Sequence, residues 1–404
     1  MMKPWKYGPR KRASKNSMAG VVMKSLDIAA RTLFCDLQSV RPLDLPISDY
    51  SKRYLSDKIG SLECELSRDT HIIRSALRDT CKSLEEIVLV DYGGGTGVLS
   101  LLAKKLGVGT VIYNDIYDVS CRDARKIADV LGCSADYYVA GGIDDLVDFC
   151  SSHRLKSDAV VSYDVLEHIY DIDEFLRKLH LISREGSAMM LCSGANIFHY
   201  PSVKSEILAQ IKAENEGIEE KWGHKKRDTL TAYAQVRAQI IREYAPKLVD
   251  GEVDELATRT RGLMRDHILN RVDVYINVGD FPAKIEHPTN TCDPYTGNWM
   301  EHLMDPYYLM ETLSAHAFDV ELLPGFWGHR SHPFKNIVTN LLDFFIRVFP
   351  RHLGLHFSPY YSLYAKHNGI TTDEKHKHQM HEYPHSPLYH TIRGLWEVLS
   401  YLRP

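Results

Sequence analysis

Short apolar runs alternate with amphipathic stretches from residue 87 to residue 196. The apolar runs have the length and β-branched content of buried strands, and the segments between them carry apolar residues at helical spacing. Five strands are predicted in this region: IVLVDY (87–92), TVIYND (110–115), ADYYVA (135–140), SDAVVSYDV (157–165) and SAMMLCSGAN (187–196). Strands that alternate with helices in this way are typical of a parallel sheet with helices on both faces.

The pattern changes on both sides of this region. Residues 47–83 predict one or two helices before the first strand, and residues 201–272 are charged, helical and without a convincing strand. FDVELLPGFWG (318–328) and SPYYSLYAKH (358–367) predict a sixth and a seventh strand. The sequence therefore predicts an α/β fold, a doubly wound and mostly parallel seven-stranded sheet with a helical N-terminal segment and a helical insertion after the fifth strand.

These patterns divide the chain into five regions. We expect a basic, disordered leader over 1–45, N-terminal helices plus a ligand-binding core over 46–200, and a helical insertion over 201–290 that forms a lid or substrate region. Residues 291–369 complete the sheet, and 370–404 form a His-rich tail.

The helix predicted over 333–350 is amphipathic. Its apolar side chains share one face: Phe334, Ile337, Val338, Leu341, Leu342, Phe345 and Phe349. Such a face either packs on the sheet or lies on a membrane. Since the polar face is not strongly basic, we expect it to pack on the sheet.

Composition narrows the class of protein. The net charge of −4 gives no general attraction to nucleic acid or anionic membranes, and the eight cysteines contain no C-x-x-C pair. No apolar run is long enough to span a bilayer. The basic start is either a leader or an organelle transit peptide, and Lys24 and Asp27 interrupt any secretory signal. We predict a cytoplasmic protein.

The stretch VLVDYGGGTGVLS (88–100) places four glycines between a strand and a helix. Glycines at this position let a ligand approach the backbone and the positive end of the helix. A dinucleotide fingerprint requires a small third residue, but its frames place Val98 or Ser100 there, and no P-loop Gly-Lys-Ser/Thr follows. The spacing that fits is acid-x-G-x-G-x-G, formed by Asp91, Gly93, Gly95 and Gly97.

This stretch resembles motif I of the class I S-adenosylmethionine-dependent methyltransferases. The resemblance extends as motifs from about 87 to 196 and implies seven strands, with the last antiparallel and inserted beside the fifth. It implies S-adenosylmethionine as cofactor, held in part by Asp91, Gly93, Gly95 and Gly97. Asp115 would accept both ribose hydroxyls, as an acid does in dinucleotide folds.

Further cofactor contacts follow from the same resemblance. Ile116 would pack against the adenine, Gly142 and Ile143 would meet its edge, and Asp164 of the DVLEH segment would lie beside the methionine end. Asp144 is either an acceptor for the adenine amine or the N-cap of a helix.

Glu167 and His168 follow the fourth strand, and His168 is a possible base because histidine titrates near neutral pH. Related families bind a divalent metal with a Glu-x-x-Glu-His run here, which makes Asp164, Glu167 and His168 a weak alternative metal site. Asp in place of the first Glu has a shorter reach, so we predict no metal. The LEH segment could also be only a helix start.

The predicted activity is methyl transfer to an oxygen or nitrogen of a small molecule or glycan. Nucleic acid is not favoured as an acceptor, because the net charge is acidic and no NPPY-type tetrapeptide follows the fourth strand. Four aromatic residues are candidates to contact the acceptor: Tyr295, Trp299, Tyr307 and Tyr308. The alternatives are a non-catalytic scaffold that binds a protein partner through the insertion, and an oxidoreductase that binds NAD.

Overall fold

The computed structural model describes residues 18–217, 230–285, 287–328 and 333–369. These residues form two compact units. The first unit contains the described residues of 18–165, 173–194 and 306–369, and the second contains those of 166–172 and 195–305. The tail predicted over 370–404 lies outside the described residues.

The first unit is built on a seven-stranded sheet with strand order β3-β2-β1-β4-β5-β7-β6. The strands are β1 Val88–Tyr92, β2 Thr110–Asp115, β3 Tyr137–Ala140, β4 Ser157–Tyr163, β5 Ser183–Ser193, β6 Phe318–Pro324 and β7 Tyr361–His367. The pairings from β3 to β5 are parallel, and β7 runs antiparallel to both β5 and β6. This topology confirms the doubly wound, mostly parallel fold and the insertion of the last strand beside the fifth.

Helices connect these strands. They are α1 Met18–Ser39, α2 Asp49–Gly60, α3 Leu62–Ala76, α4 Val98–Leu106, α5 Asp118–Val130, α6 Ile143–Ser152, α7 Ile172–Ile182, α8 Tyr200–Asn215, α9 Tyr233–Tyr244, α10 Asp250–Arg259, α11 Arg265–Val278, α12 Pro306–Ala315, α13 Pro333–Val348 and α14 Arg351–Gly354. Among the described residues, no helix combines the length and the apolar character needed to cross a bilayer.

The register aligns the strand ends where ligands of such sheets bind. Tyr92 of β1 pairs with Asn114 of β2, and Asp115 pairs with Ala140 of β3. The loops after these three strands therefore leave the same edge of the sheet.

The leader expected over 1–45 is wrong for its second half. Residues 18–39 form α1, and Leu26, Leu33 and Leu37 are fully buried in the core of the first unit. Leucines at this spacing share one helix face, and Asp27 on the same helix pairs with Arg74 of α3 at 3.0 Å. Residues 1–17 lie outside the described part of the chain.

The expectation that the apolar face of α13 packs on the sheet is also wrong. Phe334 is 70% exposed, Ile337 66% and Leu341 54%. The buried side of α13 carries Asp343, whose carboxylate accepts hydrogen bonds from the backbone N–H groups of Trp327 (2.7 Å) and Gly328 (3.2 Å). These charge-assisted bonds, which α13 makes through its polar side, explain the orientation of the helix.

The second unit contains α8 to α11, and its described residues extend beyond the 201–290 expected from the sequence. Its core includes Ile241, Leu256 and Val272. Arg237 is fully buried, and its guanidinium bonds the carboxylate of Glu214 and, at 2.8 Å, the carbonyl oxygen of Ala257. A buried cation requires such partners.

Candidate functional site

The loop between β1 and α4 adopts a backbone that requires glycine. Gly93, Gly95 and Gly97 have φ angles of 73°, 56° and 77°. A Cβ atom on Gly93 would lie 2.3 Å from Cγ2 of Val165, and one on Gly95 would lie 3.1 Å from the Tyr54 ring. Side chains of the same unit therefore lie close against this loop and only glycine fits its backbone, directly before the N–H groups that begin α4.

Residues at the end of β2 hold this loop in place. The backbone N–H groups of Gly93 and Gly94 both donate to the carbonyl oxygen of Asn114 at 2.9 Å. The hydroxyl of Tyr113 donates to the carbonyl oxygen of Gly95 at 2.6 Å. Neither role was predicted; the hydroxyl of Tyr113 in an otherwise apolar strand was a signal, whereas Asn114 acts here through its backbone carbonyl oxygen.

Asp115 adds its carboxylate to the same arrangement. Its Oδ2 accepts a hydrogen bond from the N–H of Gly95 (3.1 Å), and its Oδ1 accepts one from the N–H of Tyr117 (2.9 Å). The side chain of Ile116 is half exposed beside it. A carboxylate can accept hydrogen bonds from hydroxyl groups, and an exposed apolar side chain beside it can pack against a flat ring.

Asn114 also connects the loop after β3. Its side-chain amide donates to the carbonyl oxygens of Val139 and Gly141, each at 3.0 Å. Ile143 is buried just after this loop. One residue of β2 therefore orders the two loops on either side of it.

The start of α6 corrects the N-cap alternative for Asp144. The backbone N–H of Gly142 donates to the carboxylate of Asp145 at 2.9 Å, so the acid that caps the helix is Asp145. Asp144 instead forms an ion pair with Lys178.

Asp91 connects the end of β1 to the first turn of α4. Its buried Oδ2 accepts hydrogen bonds from the hydroxyl (2.7 Å) and the backbone N–H (3.1 Å) of Ser100. These bonds fix the first turn of α4 against β1. Burial raises the pKa of Asp91 to about 7, against the opposing effect of the Ser100 hydrogen bond.

Asp164 lies at the end of β4 in a left-handed backbone conformation, with φ 54°. Its N–H donates to the carbonyl oxygen of Cys192 at 3.0 Å, and its Oδ1 accepts from the N–H of Gly194 at 2.8 Å. Backbone strain of this kind is found disproportionately at functional sites. The carboxylate thus connects the ends of β4 and β5.

A buried charge cluster adjoins β4 and was not anticipated from the sequence. The Arg68 guanidinium lies 3.6 Å from the ring centroid of Tyr163 and bonds the carboxylates of Glu65 and Asp69. Although burial opposes it, Arg68 and then Lys58 lower the pKa of Glu65 to about 2. The four charged residues come from α2 and α3, so these helices supply fixed charge to the first unit.

Glu167 and His168 belong to the second unit, where they form part of a short 3₁₀ turn. Nδ1 of His168 lies 2.8 Å from the carbonyl oxygen of Trp299, and Nε2 lies 3.5 Å from the carboxylate of Glu301. A carbonyl oxygen can only accept, so Nδ1 carries the proton and Nε2 of the neutral ring keeps its lone pair. Glu167 is fully buried, and its carbonyl oxygen accepts from the N–H of His302 at 3.0 Å.

The weak metal alternative at Asp164, Glu167 and His168 stays a prediction, because Asp164 belongs to the first unit and the other two residues to the second. Within the described residues, no three His, Cys, Asp or Glu side chains are close enough together to hold a metal ion. Asp164 uses its Oδ1 to bond the Gly194 N–H.

The four aromatic residues that could contact the acceptor differ in how exposed their rings are. Trp299 is buried and stacks on Tyr170 and His302, and the Tyr308 hydroxyl donates to Asp173 at 2.7 Å. Tyr295 is half exposed and Tyr307 is more than a third exposed. Only the last two therefore keep substantial surface for a ligand.

Part of this chain is similar to known proteins. Residues 68–230 match the family model described as a methyltransferase domain. The chain is 37% identical over 82 residues to the ribosomal protein L11 methyltransferase of Methylobacillus flagellatus, a match that covers 19% of this chain and 27% of that relative. The chain thus spans about a quarter of the length of that relative.

Solved structures of low sequence identity are also similar. PKMT2 from Rickettsia typhi in complex with AdoHcy has 13% identity and a TM-score of 0.37, covering 75% of this chain and 53% of that chain. An S-adenosylmethionine-dependent methyltransferase from Mesorhizobium loti has 13% identity and a TM-score of 0.35, covering 72% and 95%. Residues 68–230 thus match a methyltransferase domain, and the strand order agrees with the seven-stranded fold expected from the sequence.

Proposed function

We propose that the chain binds S-adenosylmethionine at the loops after β1, β2 and β3, and transfers its methyl group to an oxygen or nitrogen of a small molecule or glycan. The observation that carries the proposal is the arrangement of Asp115 and Gly95. An acid from the end of β2 holds the glycine loop at a helix N-terminus, where an adenosyl ligand would find a carboxylate that accepts hydrogen bonds from its hydroxyls.

The residues present fit the cofactor. Asp115 would accept the ribose hydroxyls, the half-exposed Ile116 would support the adenine, and Gly142 and Ile143 would meet its edge. The loop that contains Gly93, Gly95 and Gly97 would present its backbone to the amino-acid part, for which Asp164 is the nearby acid. Asp91 acts by holding α4 in position rather than by direct contact.

When bound, the cofactor supplies a methyl group that its sulfonium already activates. The protein then has to align the acceptor atom with the methyl carbon and, where the acceptor is a hydroxyl, remove a proton. We propose His168 as that base, because the hydrogen bond from Nδ1 to the Trp299 carbonyl leaves the lone pair on Nε2, which lies 3.5 Å from the Glu301 carboxylate. Glu167 would support the turn that carries His168.

A protein acceptor is the competing substrate class, since the relative from Methylobacillus flagellatus is named for a ribosomal protein. That match reaches only 27% of the relative, so it does not carry the acceptor class over to this chain. Tyr295 and Tyr307 keep exposed rings that suit stacking on a sugar or aromatic ring.

The test begins with calorimetric titration of the purified chain with S-adenosylmethionine and, separately, with NAD. Micromolar binding of S-adenosylmethionine alone supports the proposal. If the folded chain does not bind S-adenosylmethionine, the proposed methyltransferase activity is contradicted, and a non-catalytic scaffold that binds a protein partner is favoured. The acceptor class is then tested with methyl-labelled cofactor and a cell extract separated by size: label in the small-molecule or glycan fraction is expected, and label in protein would overturn that part.

A further inference from the structure

Helix α13 of the first unit exposes a continuous apolar stripe. Its large apolar side chains recur three or four residues apart, so they lie on one side of the helix. Those that are 42–70% exposed are Phe334, Ile337, Val338, Leu341, Phe344 and Val348. We call this set the α13 stripe.

The stripe is exposed because the helix packs through its other side. Thr339, Asp343 and Ile346 are the buried positions, and Asp343 is anchored by the backbone N–H groups of Trp327 and Gly328. Rotating the helix to bury the stripe would break both hydrogen bonds. The carboxylate of Asp343 would then be exposed to solvent or buried without a hydrogen-bond donor. An exposed apolar surface of this extent, held outward by a polar anchor, indicates an interaction surface.

The charges beside the α13 stripe indicate that its partner is anionic. At 100° per residue, Lys335 lies along one margin of the stripe and Arg347 along the other, and both are exposed. Arg351 in α14 is 63% exposed but forms an ion pair with Glu321 at 3.4 Å. Between residues 333 and 357 the sequence has one acid, Asp343, and it is buried.

We propose that α13 is an in-plane anchor that inserts the α13 stripe into the interface of an anionic lipid bilayer. The polar face as a whole is not strongly basic, but an apolar face with aromatic side chains and one cation at each margin matches such a surface, since the cations reach the lipid phosphates while the apolar side chains enter the acyl boundary. The helix has 16 residues and buries a polar side in its own unit, so it lies on the membrane and does not span it.

A second copy of the chain fits this surface less well. Two such helices paired along their stripes would bring Lys335 and Arg347 near the same residues of the other copy, whereas stable helix pairs place opposite charges beside the apolar seam. Like charges there would repel.

Vesicle flotation of the full chain tests the proposal. Vesicles of phosphatidylcholine with 30% phosphatidylglycerol, on the order of anionic contents that attract basic segments, are compared with vesicles of phosphatidylcholine alone. We expect binding to the anionic vesicles, weakened by high salt. The double change Ile337→Ser and Leu341→Ser should reduce it at least about tenfold. Ile28→Ser is the matched control, because Ile28 is 57% exposed on α1, and it should bind like the unchanged chain.

A benzophenone side chain at position 341 identifies what covers the stripe. Crosslinks to lipid support the proposal. Crosslinks to a second chain, or to residues 370–404 of the same chain, with no lipid adduct would overturn it. Failure of the full chain to bind anionic vesicles, or equal loss of binding in the Ile28→Ser control, would also overturn it. None of these results depends on methyl transfer.

Discussion

The carboxylate of Asp115 accepts a hydrogen bond from the backbone N–H of Gly95 at 3.1 Å, so an acid at the end of β2 holds the glycine loop that follows β1. The same carboxylate is the proposed acceptor for the ribose hydroxyls. Loop order and cofactor affinity should therefore respond together to a change at this position.

Asp115→Ala should weaken S-adenosylmethionine binding at least about tenfold, because ribose hydrogen bonds to a charged group are lost. Calorimetric titration measures the dissociation constant, and a thermal melt shows whether the chain still folds. Asp118→Ala is the control, since Asp118 is exposed on α5 and pairs only at the surface with Arg122. If the Asp115→Ala variant binds S-adenosylmethionine as tightly as the unchanged chain, Asp115 does not contact the cofactor.

Gly93→Ala should lower the free energy of unfolding by about 3 kcal/mol, through the left-handed backbone and the crowding of Val165. Gly107→Ala is a matched control, because Gly107 also has a positive φ but a Cβ there meets nothing within 4 Å. It should cost only about 1–2 kcal/mol. Denaturant titration of both variants measures the difference, and equal losses would exclude the contact with Val165.

Asp91 should make stability fall as pH rises from about 4 to 7. Burial raises its pKa in the folded chain from 3.8 to about 7, so the folded chain holds the proton more tightly than the unfolded chain in that window. The expected slope is about 1.4 kcal/mol per pH unit relative to Asp91→Asn, which cannot ionise. Denaturant titrations at several pH values measure it.

Ser100→Ala provides the check on this interpretation. The Ser100 hydrogen bond lowers the pKa of Asp91, so its removal should extend the window above pH 7. A difference between the unchanged chain and Asp91→Asn that does not vary with pH would contradict the buried-acid assignment.

Glu214→Gln should destabilise the second unit by about 3–5 kcal/mol, because the buried Arg237 loses its counter-charge. Hydrogen exchange measures this as protection in α9 and α10 that falls by roughly a hundredfold or more. Glu216→Gln, an exposed change two residues away, should leave protection unchanged. Unchanged exchange in Glu214→Gln would show that the pair contributes no stability.

The core sheet was predictable because its signals are local. The six residues TVIYND of β2 have the same bounds in the sequence analysis and in the structure. The glycine spacing likewise located the loop that the structure holds at positive φ. Period and turn chemistry are properties of neighbouring residues, so they are readable without the fold.

The remaining features depend on partners that are distant in sequence. Nothing near Tyr163 indicates that Arg68 lies over its ring, and nothing near Asp343 shows that it will bond the N–H of Trp327. The amphipathic pattern of α13 was correctly recognised, but a pattern does not say which face meets the core. For α1, the leucine spacing was present but was obscured by the basic residues before it.

The position of β7 also affects how the chain is synthesised. Met190 of β5 pairs with Tyr364 of β7, and α8 to α14 and β6 lie between them in sequence. A ribosome therefore synthesises the described residues of the second unit before it synthesises β7, the strand that lies between β5 and β6 in the sheet. Until then, the growing chain presents an open β5 edge, which can template incorrect pairing. We expect nascent chains stalled before residue 361 to recruit chaperones, and chains released after residue 369 to lose them.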